Sequence, residues 1–167
     1  MKKLLIVDFG SNMNYLLNII KKFNICYEVI TYNKVSLAIL FDSFISGIIL
    51  SDGPYNISDN IYPEISFKEI INRNIPILGI SYGANLIIKN FGGKIKQINN
   101  YQGNFITEVP KNWEVFSNTS NGDILTFGNN NIKCYGLQNY QDNLETEYII
   151  KILYNFIKIC KFSINYI

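Results

Sequence analysis

Across the first half of the chain, short unbroken apolar runs alternate with stretches whose apolar positions recur every three or four residues. Leu4 to Phe9 is such a run, and Tyr15, Leu16, Ile19, Ile20 and Phe23 follow it at helical spacing. The pattern predicts a strand, a turn at Asp8-Phe9-Gly10-Ser11 and an amphipathic helix. Tyr27 to Thr31, Gly47 to Leu50 and Ile75 to Ile80 read as further strands, with Phe67, Ile70 and Ile71 on a helix that stops before Pro76 and a second helix over Ala84 to Phe91. Strands without polar alternation are buried on both faces, so a parallel sheet between two helical layers is expected. Past Gly92 the punctuation changes. Lys94 to Ile98, Asn104 to Val109, Trp113 to Ser117, Asp123 to Phe127 and Ile132 to Leu137 are short strand candidates between Gly, Asn and Pro turns, which makes the second half β-rich. Tyr148, Ile149, Ile152, Leu153, Phe156 and Ile157 place a closing helix between Leu144 and about Cys160.

Composition narrows the picture. At 167 residues, with 48% hydrophobic and 17% charged residues, the chain reads as one domain over residues 1–167 with an ample core. A net charge of +2 is too small and too scattered for a nucleic-acid or anionic-membrane footprint. No apolar run approaches the length of a membrane span, and the four apolar residues after Lys2 and Lys3 are too few for a signal-peptide core. A soluble cytoplasmic protein is expected. The three cysteines, Cys26, Cys134 and Cys160, are far apart in sequence and form no CxxC pair. The chain contains no histidine, which removes imidazole as base, metal ligand or pH switch within these residues. No cofactor or metal is called for.

The most specific local signal is Gly79-Ile80-Ser81-Tyr82-Gly83 between a predicted strand and a predicted helix. A nucleophile flanked at two residues on each side by glycine marks a turn too tight for side chains there, which lifts the central residue clear of the sheet. It also aims backbone N–H groups at the start of the following helix toward that residue. Other features read as structural. Gly10-Ser11-Asn12 lacks a full G-x-G-x-x-G and reads as a helix cap, Asp8 as a turn-stabilising carboxylate, and Trp113, Phe105 and Phe116 as core.

Ile49-Leu50-Ser51-Asp52-Gly53-Pro54, Pro76 to Asn85, Gly92-Gly93-Lys94 and Tyr135-Gly136-Leu137-Gln138, together with Asn155-Phe156 and Cys160, occur in an order that resembles the class I glutamine amidotransferase family. The likeness is nearest to the glutaminase domain or subunit of GMP synthetase, and it extends from about residue 3 to 160. It implies a flavodoxin-like α/β fold, a central mostly parallel sheet flanked by helices. It also implies a Cys nucleophile that attacks the glutamine side-chain amide, a His base, a Glu that orients the His, and a synthetase partner that receives the ammonia.

Carried over by position, the nucleophile is Ser81, the base Tyr140 and the orienting carboxylate Asp142. The oxyanion-hole amides are those of Gly53 and Tyr82, with Asp52 and Asn85 in the substrate pocket. A hydroxyl needs a strong positioned base where a thiol of pKa about 8.5 does not, and a Tyr phenol of pKa about 10 is a poor base at neutral pH. Asp52 replaces a family glycine, where its carboxylate would oppose a developing oxyanion if it faces the pocket; Asn85 shortens a family glutamine. A family segment with a Ser-His-Gly-Asp turn is skipped between Val109 and Trp113. A catalytically inactive amidotransferase relative is expected, serving as a non-catalytic synthetase subunit, as a regulator of an active amidotransferase, or in self-association. Two alternatives stay open: a weak Ser81-dependent glutaminase or amide hydrolase, and a sensor of glutamine or another small amide.

Overall fold

The computed structural model describes residues 1–55, 57, 65–97, 104–138 and 146–164. In chain order they form β1 (Lys3–Asp8), α1 (Asn14–Lys22), β2 (Tyr27–Thr31), α2 (Leu37–Leu40), β3 (Ile45–Leu50), α3 (Phe67–Asn72), β4 (Ile77–Ile80), α4 (Tyr82–Phe91), β5 (Lys94–Gln97), β6 (Asn104–Glu108), β7 (Glu114–Asn118), β8 (Ile124–Asn129), β9 (Cys134–Leu137) and α5 (Thr146–Ile159). The predicted elements are all present with shifted ends. The short α2, preceded by a 3₁₀ turn at Tyr32–Lys34, was not foreseen: four residues are too few for a helical period to show.

Seven strands form one sheet in the order β2-β1-β3-β4-β9-β8-β7. The first five run parallel, and β8 and β7 are added antiparallel at one side. The β-rich second half therefore divides: β7, β8 and β9 extend the main sheet, while β5 and β6 pair as a separate antiparallel ribbon.

The apolar strands bury both faces, as their lack of alternation demands. In β1, Leu5 and Val7 join the layer that holds α3 and α4, whereas Leu4 and Ile6 join the layer of α1 and α5. Strand β3 divides the same way, with Ile48 and Leu50 on one side and Ile49 on the other. Nearly all of α4 is buried, from Tyr82 to Ile88, so it packs as an internal element. Trp113 packs against Phe91 and Phe127 as expected, but Phe116 does not belong to the core. It stands 47% exposed on β7, the edge strand of the sheet, which is exposed on both faces, Val115 included.

Candidate functional site

The carboxyl ends of β1, β3, β4 and β9 meet around Ser81. The register Gly79↔Gly136 and Ile80↔Leu137 brings the end of β9 beside the end of β4, and the Ser81 amide donates to Leu137 O at 2.8 Å. Ser81 sits at φ 47°, ψ −103°, between β4 and the first residue of α4. Such a conformation is sparsely populated for a side-chain-bearing residue and costs on the order of 1–3 kcal/mol. The two glycines make it possible. A Cβ on Gly79 would lie 2.5 Å from the backbone of Gly83, and one on Gly83 would lie 2.3 Å from Leu50 O. Strand, turn and helix thus touch backbone to backbone, and the expected tight turn is present with Ser81 at its apex.

Ser51, buried at the end of β3, ties the neighbouring loops together. Its Oγ accepts from Phe9 N at 3.1 Å and donates to Asp52 O at 2.7 Å, while its carbonyl accepts from Gly83 N at 3.1 Å. The sequence pattern assigned Ser51 no role beyond membership of a motif. Phe9, Tyr32, Tyr55 and Tyr82 form an aromatic cluster beside it, with ring centroids 5.2–5.9 Å apart between neighbours. These four come from four separate segments, so no local spacing announces them.

The amides of Gly53 and Tyr82 converge, as two donors aimed at one oxygen should, but they are not left open to a ligand. The Oδ1 atom of Asp52 accepts from Gly53 N at 2.8 Å and from Tyr82 N at 3.2 Å. Burial pushes the Asp52 carboxyl above the ordinary carboxylate range, and the two amide bonds hold part of that shift back. Asp52 also lines a cavity of about 190 Å³, together with Ser11, Asn12, Ser51, Ile80 and Leu137.

Asn85, one turn into α4, is 5% exposed, and its Oδ1 finds no hydrogen-bond donor. Gln138 follows β9 and clamps the β5–β6 ribbon to the sheet: its Oε1 accepts from Ile106 N at 3.2 Å and its Nε2 donates to Asn104 O at 2.7 Å. Tyr140 and Asp142, the expected base and orienting positions, lie outside the described residues.

The other expected roles are partly as read. Asp8 stabilises its turn by accepting from Gly10 N at 2.7 Å. Asn12 accepts from Asn14 N at 3.1 Å just ahead of α1, but the N-cap residue is Met13, whose side chain makes no capping bond. Cys134 and Cys160 are buried in the core and Cys26 is exposed before β2. Desolvation raises both buried thiols, Cys160 to about 12. Among the described residues no cluster of three or more Cys, Asp or Glu side chains is placed to hold a metal ion, and no helix is long and apolar enough to cross a membrane.

Comparison with known proteins agrees with this architecture. A GMP synthase (glutamine-hydrolyzing) of Petrotoga mobilis is 35% identical to the chain, covering 95% of it and 36% of the relative. One from Borrelia garinii subsp. bavariensis is 31% identical, covering 99% and 37%. The chain thus spans a little over a third of the length of these relatives. Among solved structures, a GMP synthase subunit from Thermoplasma acidophilum superposes with a TM-score of 0.76 at 20% identity, covering 96% of this chain and 94% of that one. A glutamine amidotransferase from Thermotoga maritima gives a TM-score of 0.57 at 15% identity, covering 97% and 86%. These likenesses show a flavodoxin-like fold. Residues 5–104, more than half of the 167, match the family described as glutamine amidotransferase class-I, and the chain belongs to that family.

Proposed function

We propose that residues 1–167 form one amidotransferase domain of the GMP synthase type that does not hydrolyse glutamine and acts as a non-catalytic subunit or regulator beside a synthetase. The observation that carries this reading is the absence of any histidine from the 167 residues. Amide hydrolysis at an elbow of this kind needs a group that takes the nucleophile's proton, gives it to the departing ammonia and then activates water. Ser81, at the strained apex where the nucleophile would stand, is a hydroxyl with no imidazole available from this chain. A tyrosine at the base position is protonated near pH 7 and supplies neither transfer well. The end of β9 at Leu137 lies beside Ser81, which supports reading Tyr140 and Asp142 as relics of the triad.

The synthetase partner is inferred from the relatives, which carry the name GMP synthase over roughly three times this length. A second reading is favoured by one feature. The buried, unsatisfied Oδ1 of Asn85 is suited to an amide N–H donor, as in a sensor of glutamine or a similar small amide. An ammonia-release assay with purified protein and glutamine tests the reading directly: no release above a heat-killed control is expected, and turnover that disappears in Ser81→Ala would establish a serine-dependent hydrolase instead. Calorimetric titration with glutamine separates scaffold from sensor, since micromolar binding without turnover would favour the sensor.

A further inference from the structure

Two N–H donors from separate elements, one in the loop after β3 and one at the first residue of α4, converge on a single carboxylate oxygen. That is the arrangement with which an amide pair holds an oxyanion, and here the oxyanion belongs to the chain itself. We propose that the Asp52 side chain is a tethered ligand of the Gly53 and Tyr82 amides, an autoinhibitory contact that keeps small carboxylates and acyl oxyanions out of the site. The proposal deepens the reading of an inactive centre, and rests on it only for treating the Ser81 turn as a former catalytic one.

The contact is held from several sides. The Asp52 carbonyl is fixed by Ser51 Oγ, and Ser51 is fixed in turn by Phe9 N and Gly83 N. The Gly53 backbone is packed so closely that a Cβ there would lie 2.8 Å from Phe9 Cβ and 3.2 Å from Tyr82 Cδ1. With the loop pinned, the carboxylate needs no external force to stay on the amides. Asp52 itself borders a cavity of about 190 Å³, roomy enough for a two-carbon acid, so removal of its side chain opens the position of its carboxylate to that space.

The test is amide NMR on the whole chain, with sodium acetate titrated against sodium chloride at matched ionic strength. In the wild type and in Asp52→Asn, whose side chain keeps an acceptor in place, the Gly53 and Tyr82 amide resonances should not respond. In Asp52→Gly both should shift saturably, with at least a ten-fold greater response to acetate than in the wild type, while distant amides stay put. Equal saturable shifts in wild type and Asp52→Gly would overturn the proposal, as would a folded Asp52→Gly that ignores acetate or an Asp52→Asn that responds as strongly as Asp52→Gly. Should Asp52→Gly not fold, the wild type decides alone: the Asp52 carboxyl carbon and both amides must titrate with one common midpoint, and unrelated midpoints refute the contact. Ammonia release by the wild type would remove the reading of inactivity and leave the acetate result standing, so the two fail separately.

Discussion

Replacing Ser81 by alanine and by glycine gives a direct reading of the strain stored at the strand-to-helix turn. Both substitutions remove the hydroxyl, so the difference between them isolates the Cβ. At φ 47°, ψ −103° a residue with a Cβ pays on the order of 1–3 kcal/mol that glycine does not. Glycine gives back about 0.5–1 kcal/mol through the greater freedom of its unfolded chain. The net expectation is that Ser81→Gly exceeds Ser81→Ala in stability by about 1 kcal/mol, or roughly 2–4 °C in Tm for a domain of this size. In the body of a helix or strand the order is reversed, which makes the sign diagnostic. The backbone at this residue cannot relax easily, because its N–H is held by Leu137 O and its carbonyl accepts from Asn85 N at 3.0 Å. Urea unfolding of the two variants under identical conditions is the assay. If Ser81→Ala were as stable as Ser81→Gly or more so, the turn would not be strained and the elbow geometry would be misread.

Gly83→Ala places a methyl 2.3 Å from Leu50 O, a backbone atom at the carboxyl end of β3, so a loss of about 3 kcal/mol or more is expected on chemical unfolding. A near-neutral result would mean that α4 does not press on β3. Burial raises the Asp52 pKa in the fold above its ordinary 3.8, so the folded state holds that proton more tightly than the unfolded state does. The ionised side chain therefore carries a stability cost above the folded pKa, and the cost is relieved as pH falls through it. The Tm advantage of Asp52→Asn over wild type should accordingly be larger at pH 7 than at pH 4, and the opposite trend would refute the assigned cause. Ser81→Cys alone should restore no ammonia release, because the leaving group still lacks a proton donor. Ser81→Cys with Tyr140→His and Asp52→Gly is the smallest combination expected to restore it, and rescue by the single cysteine would reveal a base outside this reading.

Much of this protein was legible from local pattern. Unbroken apolar runs such as Leu4 to Val7 specify strands buried on both faces, whichever strands they come to lie beside, and the glycines at 79 and 83 specify a tight turn through their lack of a Cβ. Strand order was beyond that information. β9 inserts between β4 and β8 although more than fifty residues separate it from β4, and a short run like Cys134–Leu137 carries no local mark of its neighbour. The tertiary structure alone placed the Ser51 clasp, the Gln138 clamp and the four-ring cluster around Tyr82, because each joins groups that are remote along the chain. Asp52 shows the division most sharply. Its sequence position placed a carboxylate near two amides, but only the pinned loop after β3 put one of its oxygens onto both of them.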